Sequence, residues 1–137
     1  MKGALNGMTL DKQKKKEIAS AYKTSFRPMG VYQIRNTVNG KLYVDGTMDL
    51  EGARNRFDFF KQTNMNTMSE LRQDWAAFGG DAFVFEELDQ IKPREETLND
   101  PSELASYKEE VQALLELWLE KLQPYDEQGY NKRKRKL

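Results

Sequence analysis

Two short runs rich in β-branched and aromatic residues, Val31-Tyr32-Gln33-Ile34-Arg35 and Lys41-Leu42-Tyr43-Val44, flank the segment Asn36-Thr37-Val38-Asn39-Gly40. Asn-Gly is the dipeptide that most readily takes positive φ at both central positions of a type I′ turn, so this stretch predicts an antiparallel hairpin. Period-two alternation then puts Tyr32 and Tyr43 on neighbouring strands and on one sheet face. Few arrangements are open to the rest of a chain of 137 residues, the length of one ordinary domain.

Downstream the period changes to that of helices. Residues 49–61 carry Leu50, Ala53, Phe57 and Phe60 on one side, with Asp49 as the expected cap. Residues 67–78 place Met68, Leu71, Trp75 and Phe78 at helical spacing before Gly79-Gly80. A third strand is expected over 82–88, then a polar loop over 92–101. Ser102 is expected to cap a long helix reaching about Gln123, with Leu104, Val111, Leu114, Leu115, Trp118, Leu119 and Leu122 as its core stripe. Ahead of the hairpin, residues 10–22 suit a basic helix with a weak apolar face, and Arg27-Pro28 ends it. The expected architecture is α+β, a three-stranded antiparallel sheet flanked by helices. The units are a basic helical extension (1–28), the domain (29–131) and a basic tail (132–137).

The chain has no Cys and no His, which removes disulfides, thiolate sites, His-ligated zinc and imidazole catalysis. No apolar stretch approaches the ~18 residues of a membrane span, and the N-terminus lacks the apolar run of a signal peptide, so a soluble, cytoplasmic protein is expected. The 22 Lys/Arg balance the 22 Asp/Glu, but unevenly. Lys132, Arg133, Lys134, Arg135 and Lys136 form a basic tail, and Lys12, Lys14, Lys15 and Lys16 form a second basic group. Residues 86–127 carry thirteen acids against four bases. A polyanion could meet the two basic ends and would be repelled by the later body. The alternative reading of the tail is a solvated end.

Gly30-Val31-Tyr32, followed eleven residues after the tyrosine by Tyr43-Val44, resembles the GIY-YIG nuclease family. The run from Gly30 to Val44 is similar to the opening of its phage homing-endonuclease branch. Phe78-Gly79-Gly80-Asp81-Ala82-Phe83-Val84-Phe85 is similar to a later stretch of that branch, and Leu117-Trp118-Leu119 with Gly129-Tyr130-Asn131 is similar to its close. The resemblance spans residues 29 to 131.

It implies cleavage of DNA phosphodiesters with one divalent metal, Mg or Mn. The first tyrosine would act at the attacking water, and the second would support it by hydrogen bonding. An arginine would steady the phosphate, a glutamate would hold the metal, and a terminal asparagine would complete the pocket wall. Tyr32, Tyr43 and Asn131 match this set. The arginine position falls on Ala53, with Arg54 and Arg56 nearby, and the glutamate position falls on Leu115, with Glu116 adjacent. Asp45 stands in place of a glycine, and Phe57 where the family often has His or Tyr. A one-residue shift turns a helical side chain by about 100°, so Arg54 and Glu116 are not automatic substitutes. Two readings follow. One is a member with impaired catalysis that acts as a DNA-binding or interaction module. The other is an active metal-dependent endonuclease using Tyr32, Tyr43, Arg54 and Asn131, with Glu116 on the metal and Arg56 and the tail on DNA. Structural alternatives stand beside these roles. Hairpin tyrosines are common cross-strand packing partners, and Arg54, Arg56 and Glu116 could equally face water.

Overall fold

The computed structural model describes residues 26–65, 68–94 and 100–133. The basic helix expected over 10–22, and Lys134, Arg135 and Lys136 of the tail, lie outside the described residues. Three strands, β1 (Met29–Asn36), β2 (Leu42–Thr47) and β3 (Phe83–Ile91), form one antiparallel sheet in the order β2-β1-β3. Among the described residues three α-helices accompany them: α1 (Leu50–Thr63), α2 (Arg72–Phe78) and α3 (Leu104–Leu122).

β1 is buried along nearly its whole length because it is the central strand and both of its faces are covered. Tyr32 and Ile34 pack into one cluster with Leu50, Ala53 and Phe57 of α1 and Trp75 of α2, closed by Phe83 and Phe85 of β3. Met29 belongs to the opposite cluster, with Tyr107 and Val111 of α3 and with Phe26, Met48 and Ile91 at its margin. The sheet therefore lies between α1 and α2 on one side and α3 on the other. Gly30 sits where β1 passes hard against β3. A Cβ there would run into the Asp89 carbonyl, so no other residue fits without shifting the strands. The β1/β3 register slips by one residue between Val31 and Tyr32, next to this close approach.

The hairpin forms, but not through a type I′ turn. Gly40 has φ 78°, whereas Asn39 keeps a negative φ, and the loop closes by Gly40 N–H donating to Asn36 O at 2.8 Å. The Asn39 side chain is used differently: its oxygen accepts from Lys41 N–H at 3.0 Å and its amide donates to Asp74 of α2 at 3.1 Å. The loop tip is thereby tied to a helix, and that tertiary tie replaces the local preference of the dipeptide.

Asp49 caps α1 as expected, accepting from Gly52 N–H at 3.0 Å. Ser102 does not cap α3. It lies in a 3₁₀ turn (Pro101–Glu103) whose own cap is Asp100, and the helix starts after it at Leu104. The expected stripe of α3 holds except at its start: Val111 is buried and Leu114, Leu115, Trp118, Leu119 and Leu122 are half-buried, but Leu104 is exposed and Tyr107, outside the expected stripe, is buried. α2 begins at Arg72 rather than 67, Phe78 at its end is exposed, and β3 continues past Leu88 to Ile91.

After α3 the chain turns at Gln123, in the left-handed region, and returns along the free edge of β2. Tyr130 N–H donates to Leu42 O at 2.8 Å. The Asn131 side chain acts as a substitute strand: its amide donates to Val44 O at 2.7 Å and its oxygen accepts from Val44 N–H at 2.9 Å. The Tyr130 hydroxyl donates to Asp74 at 2.6 Å and accepts from the fully buried Asn36 at 3.0 Å. No helix among the described residues is long and apolar enough to cross a membrane.

Tyr130 thus joins the hairpin, α2 and the C-terminal segment through one oxygen. Tyr130→Phe leaves the buried Asn36 amide without its acceptor. The expected loss is about 1–3 kcal/mol of stability, read as a lower urea midpoint at unchanged slope.

Candidate functional site

In the β1/β2 register Tyr32 faces Asp45 and Ile34 faces Tyr43, so the two tyrosines and Asp45 share one sheet face, with the tyrosines on a diagonal. Tyr32 is buried and stacks on Phe85, ring centroids 4.8 Å apart. The Tyr43 hydroxyl donates to Asp45 Oδ2 at 3.3 Å, and Asp45 Oδ1 accepts from Gly46 N–H at 2.8 Å. Asn131 grips β2 at Val44, between Tyr43 and Asp45, so it fixes the strand from which both side chains project.

Electrostatics keep both phenols neutral. Burial, reinforced by the Asp45 charge and opposed by Arg56, pushes Tyr32 up to about 12. Burial also pushes Tyr43 up, helped by the charges of Asp45, Tyr32 and Glu70 and by its bond to Asp45. Asp45 is itself raised, first by burial and then by the nearby Glu70, against the pull of Gly46 N–H, Tyr43 and Arg56. The pair can donate and accept hydrogen bonds to a water or an anion, but neither hydroxyl supplies a phenolate near neutrality.

The two arginines of α1 part company. They are two residues apart, so they project about 200° apart around the helix. Arg54 goes to the β3 side, stacked over Phe85 at 4.8 Å and 3.7 Å from Glu87. Arg56 is the cation whose charge reaches Tyr32 and Asp45. Ala53 and Phe57, between them, are core.

The donor set fits a divalent metal poorly. Among the described residues no group of three or more His, Cys, Asp and Glu is placed to hold an ion. The carboxylates that influence the tyrosines are Asp45, held by Tyr43 and Gly46, and Glu70 of the turn before α2. The Glu70 charge raises Asp45 and the Arg56 charge lowers it. Leu115, the position assigned to the metal-binding glutamate by resemblance, lines a groove beside Asp45 and Gly46. Glu116 is exposed one position further along α3. Of the tail, Lys132 and Arg133 are described. Arg133 is ion-paired to Asp126 at 3.1 Å and lies over Tyr125. Glu70 was missed in the sequence because only the packing of α2 brings its turn to the tyrosines. Lys108 and Gln112 also face the groove, and their signal was present: they lie one turn apart on the helical row that includes Val111 and Leu115.

Among solved structures, the chain is similar to the catalytic domain of the homing endonuclease I-TevI, with TM-score 0.54 and 23% identity over 77% of this chain and 99% of that one. A mutant of the same intron-endonuclease domain matches with the same score and identity over 76% of this chain and 92% of that chain. No protein-family model and no curated protein sequence matches. The likeness establishes the fold, the α+β arrangement with a three-stranded antiparallel sheet that the hairpin and helix pattern led us to expect.

The raised Asp45 fixes the sign of one pH effect. Its folded-state affinity for a proton exceeds that of the unfolded chain, so stability falls as pH rises from the ordinary carboxylate range through the raised value and levels off above it. Asp45→Asn keeps an acceptor for Tyr43 and removes the charge. Thermal unfolding should show the variant melting above the wild type at neutral pH, with the gap closing below about pH 4.

Proposed function

We propose that a domain with the fold of an intron-endonuclease catalytic domain acts here as a DNA-binding module whose own cleavage chemistry is impaired. The observation that carries this reading is the replacement at the tyrosine pair. Where resemblance calls for a metal-binding carboxylate there is Leu115, in an apolar-walled groove, and Asp45 beside it is held by Tyr43 and Gly46. Hydrolysis of a phosphodiester needs a cation to neutralise charge on the phosphoryl oxygens and to lower the pKa of the attacking water. The described residues hold no group of three or more His, Cys, Asp and Glu placed to bind one.

Binding is better supported. Tyr32 stays protonated and can donate to a phosphate oxygen, Tyr43 being engaged with Asp45, and Arg56 supplies the positive charge on that side of α1. Asn131 holds the strand that carries Tyr43, and in the sequence it is followed directly by the basic run Lys132, Arg133, Lys134, Arg135, Lys136. These contacts address backbone rather than base sequence, so the affinity is expected to be sequence-independent. Arg54 is occupied by Glu87 and has the smaller part.

The test is fluorescence anisotropy with duplex and single-stranded DNA over a salt series, paired with nicking of supercoiled plasmid in Mg or Mn. Binding should weaken with a log–log salt slope of about −0.9 per phosphate contacted on duplex. Truncation after Asn131 should flatten that slope, and nicking should not exceed the metal-free control. Metal-dependent nicking that is lost in both Tyr32→Phe and Glu116→Gln would establish the alternative, an active endonuclease with Arg54 and Glu116 in shifted positions. Absence of DNA binding would refute both readings.

A further inference from the structure

A groove of about 290 Å³ runs between the β2 edge and α3, touching the tyrosine site at Asp45. Its walls are Met48, Val111 and Leu115, and its polar rim includes Lys108 and Gln112. The α3 contribution comes from positions 108, 111, 112 and 115, a single face of the helix at i, i+3, i+4 and i+7. Gly46 makes the groove floor possible, since a Cβ there would stand 2.8 Å from Val111 Cγ1. The helix and strand thus meet closely at Gly46 and Val111, and the opening left beyond them has a mixed lining, apolar at Met48, Val111 and Leu115 and polar at Asp45, Thr47, Lys108 and Gln112.

From this geometry we infer that the groove receives one unstacked nucleobase of a bound DNA strand, a reading that rests on the DNA-binding function proposed above. Three features select that occupant. Met48, Val111 and Leu115 offer dispersion contacts to an uncharged ring, as a base face provides. Gln112 presents an amide donor and acceptor side by side, the pairing that matches a base edge. Charge fits as well: among the described residues Arg56 and Lys108 make no ion pair; Arg56 on α1 acts on Asp45, and Lys108 on α3 lines the groove with it. A nucleotide with its base in the groove has a phosphate on each side, and a cation is available to each. A base is accessible in this way only where it is not paired and stacked, so the substrate class is single-stranded or locally opened DNA.

The experiment uses the full chain and two fluorescein-labelled single-stranded oligodeoxynucleotides of equal length, one normal and one with abasic sugars at its centre. The normal strand should bind roughly tenfold tighter, equivalent to about 1.4 kcal/mol. Gln112→Ala, at an exposed position, and Leu115→Trp, which fills the groove, should both remove that preference while keeping the salt-dependent affinity for the abasic strand. Equal affinity of the wild type for the two strands overturns the base site and leaves DNA binding standing. A preference that persists in Gln112→Ala and in a folded Leu115→Trp places the base elsewhere and overturns it too. Elution of the free protein as a dimer that Leu115→Trp dissociates assigns the groove to a second copy instead. Failure to bind either strand refutes the underlying DNA reading, a different result from equal binding.

Discussion

The Asn131 side chain takes the place of a missing strand. β2 lies at the edge of a three-stranded sheet, with unpaired backbone groups on its outer side that must find partners or remain in water. One amide from a residue far along the chain pairs with both N–H and C=O of Val44, and Tyr130 N–H satisfies Leu42 beside it. The consequence reaches further than edge protection. β2 carries Tyr43 and Asp45 on the two sides of Val44, so the grip that closes the fold also sets the height and direction of the site. The same short segment places Tyr130 against α2 and the hairpin loop. Loss of the C-terminal segment would therefore loosen the sheet edge, the loop tip and the tyrosine pair together.

Residue patterns that act over a few positions were readable in the sequence. The hairpin, the α1 cap at Asp49 and the α1 stripe through Leu50, Ala53 and Phe57 follow from alternation and periodicity, and they stand where the pattern put them. The details that depend on distant partners were not. Asn39 forgoes positive φ because Asp74 offers its amide a partner, a contact thirty-five residues away. Ser102 yields the helix start to a short turn capped by Asp100. The α3 stripe holds from Val111 to Leu122 and fails at its start, where Leu104 is exposed. Tyr107 is fully buried in place of Leu104 because Met29, Phe26 and Arg94 converge there: the Arg94 N–H donates to its hydroxyl at 2.8 Å and Phe26 tilts against its ring.

For the site, what the sequence offered was a set of residue types, and what it withheld was helical phase. Arg54 and Arg56 are indistinguishable as members of a basic pair. Only the line of α1 across the sheet decides that one lies over Phe85 towards Glu87 and the other reaches Asp45. The same reasoning applies to Leu115 and Glu116. The apolar residue turns to the groove by Val111, and the charged one lies on the exposed side.

After burial, Asp45 has the largest influence on the two phenols. A glycine at that point would leave the tyrosines near a neutral backbone. A half-buried carboxylate 3.3 Å from one phenol, and within electrostatic reach of the other, opposes ionisation of both. Glu70 adds to the negative side, and Arg56 offsets part of it. An approaching phosphate meets two neutral hydroxyls, one cation and two anions, a balance that favours contact at the Arg56 side and disfavours deep entry. The groove between β2 and α3 shares that same carboxylate, with Met48, Val111 and Leu115 as the apolar part of its lining, so Asp45 is the one residue common to the tyrosine pair and the groove.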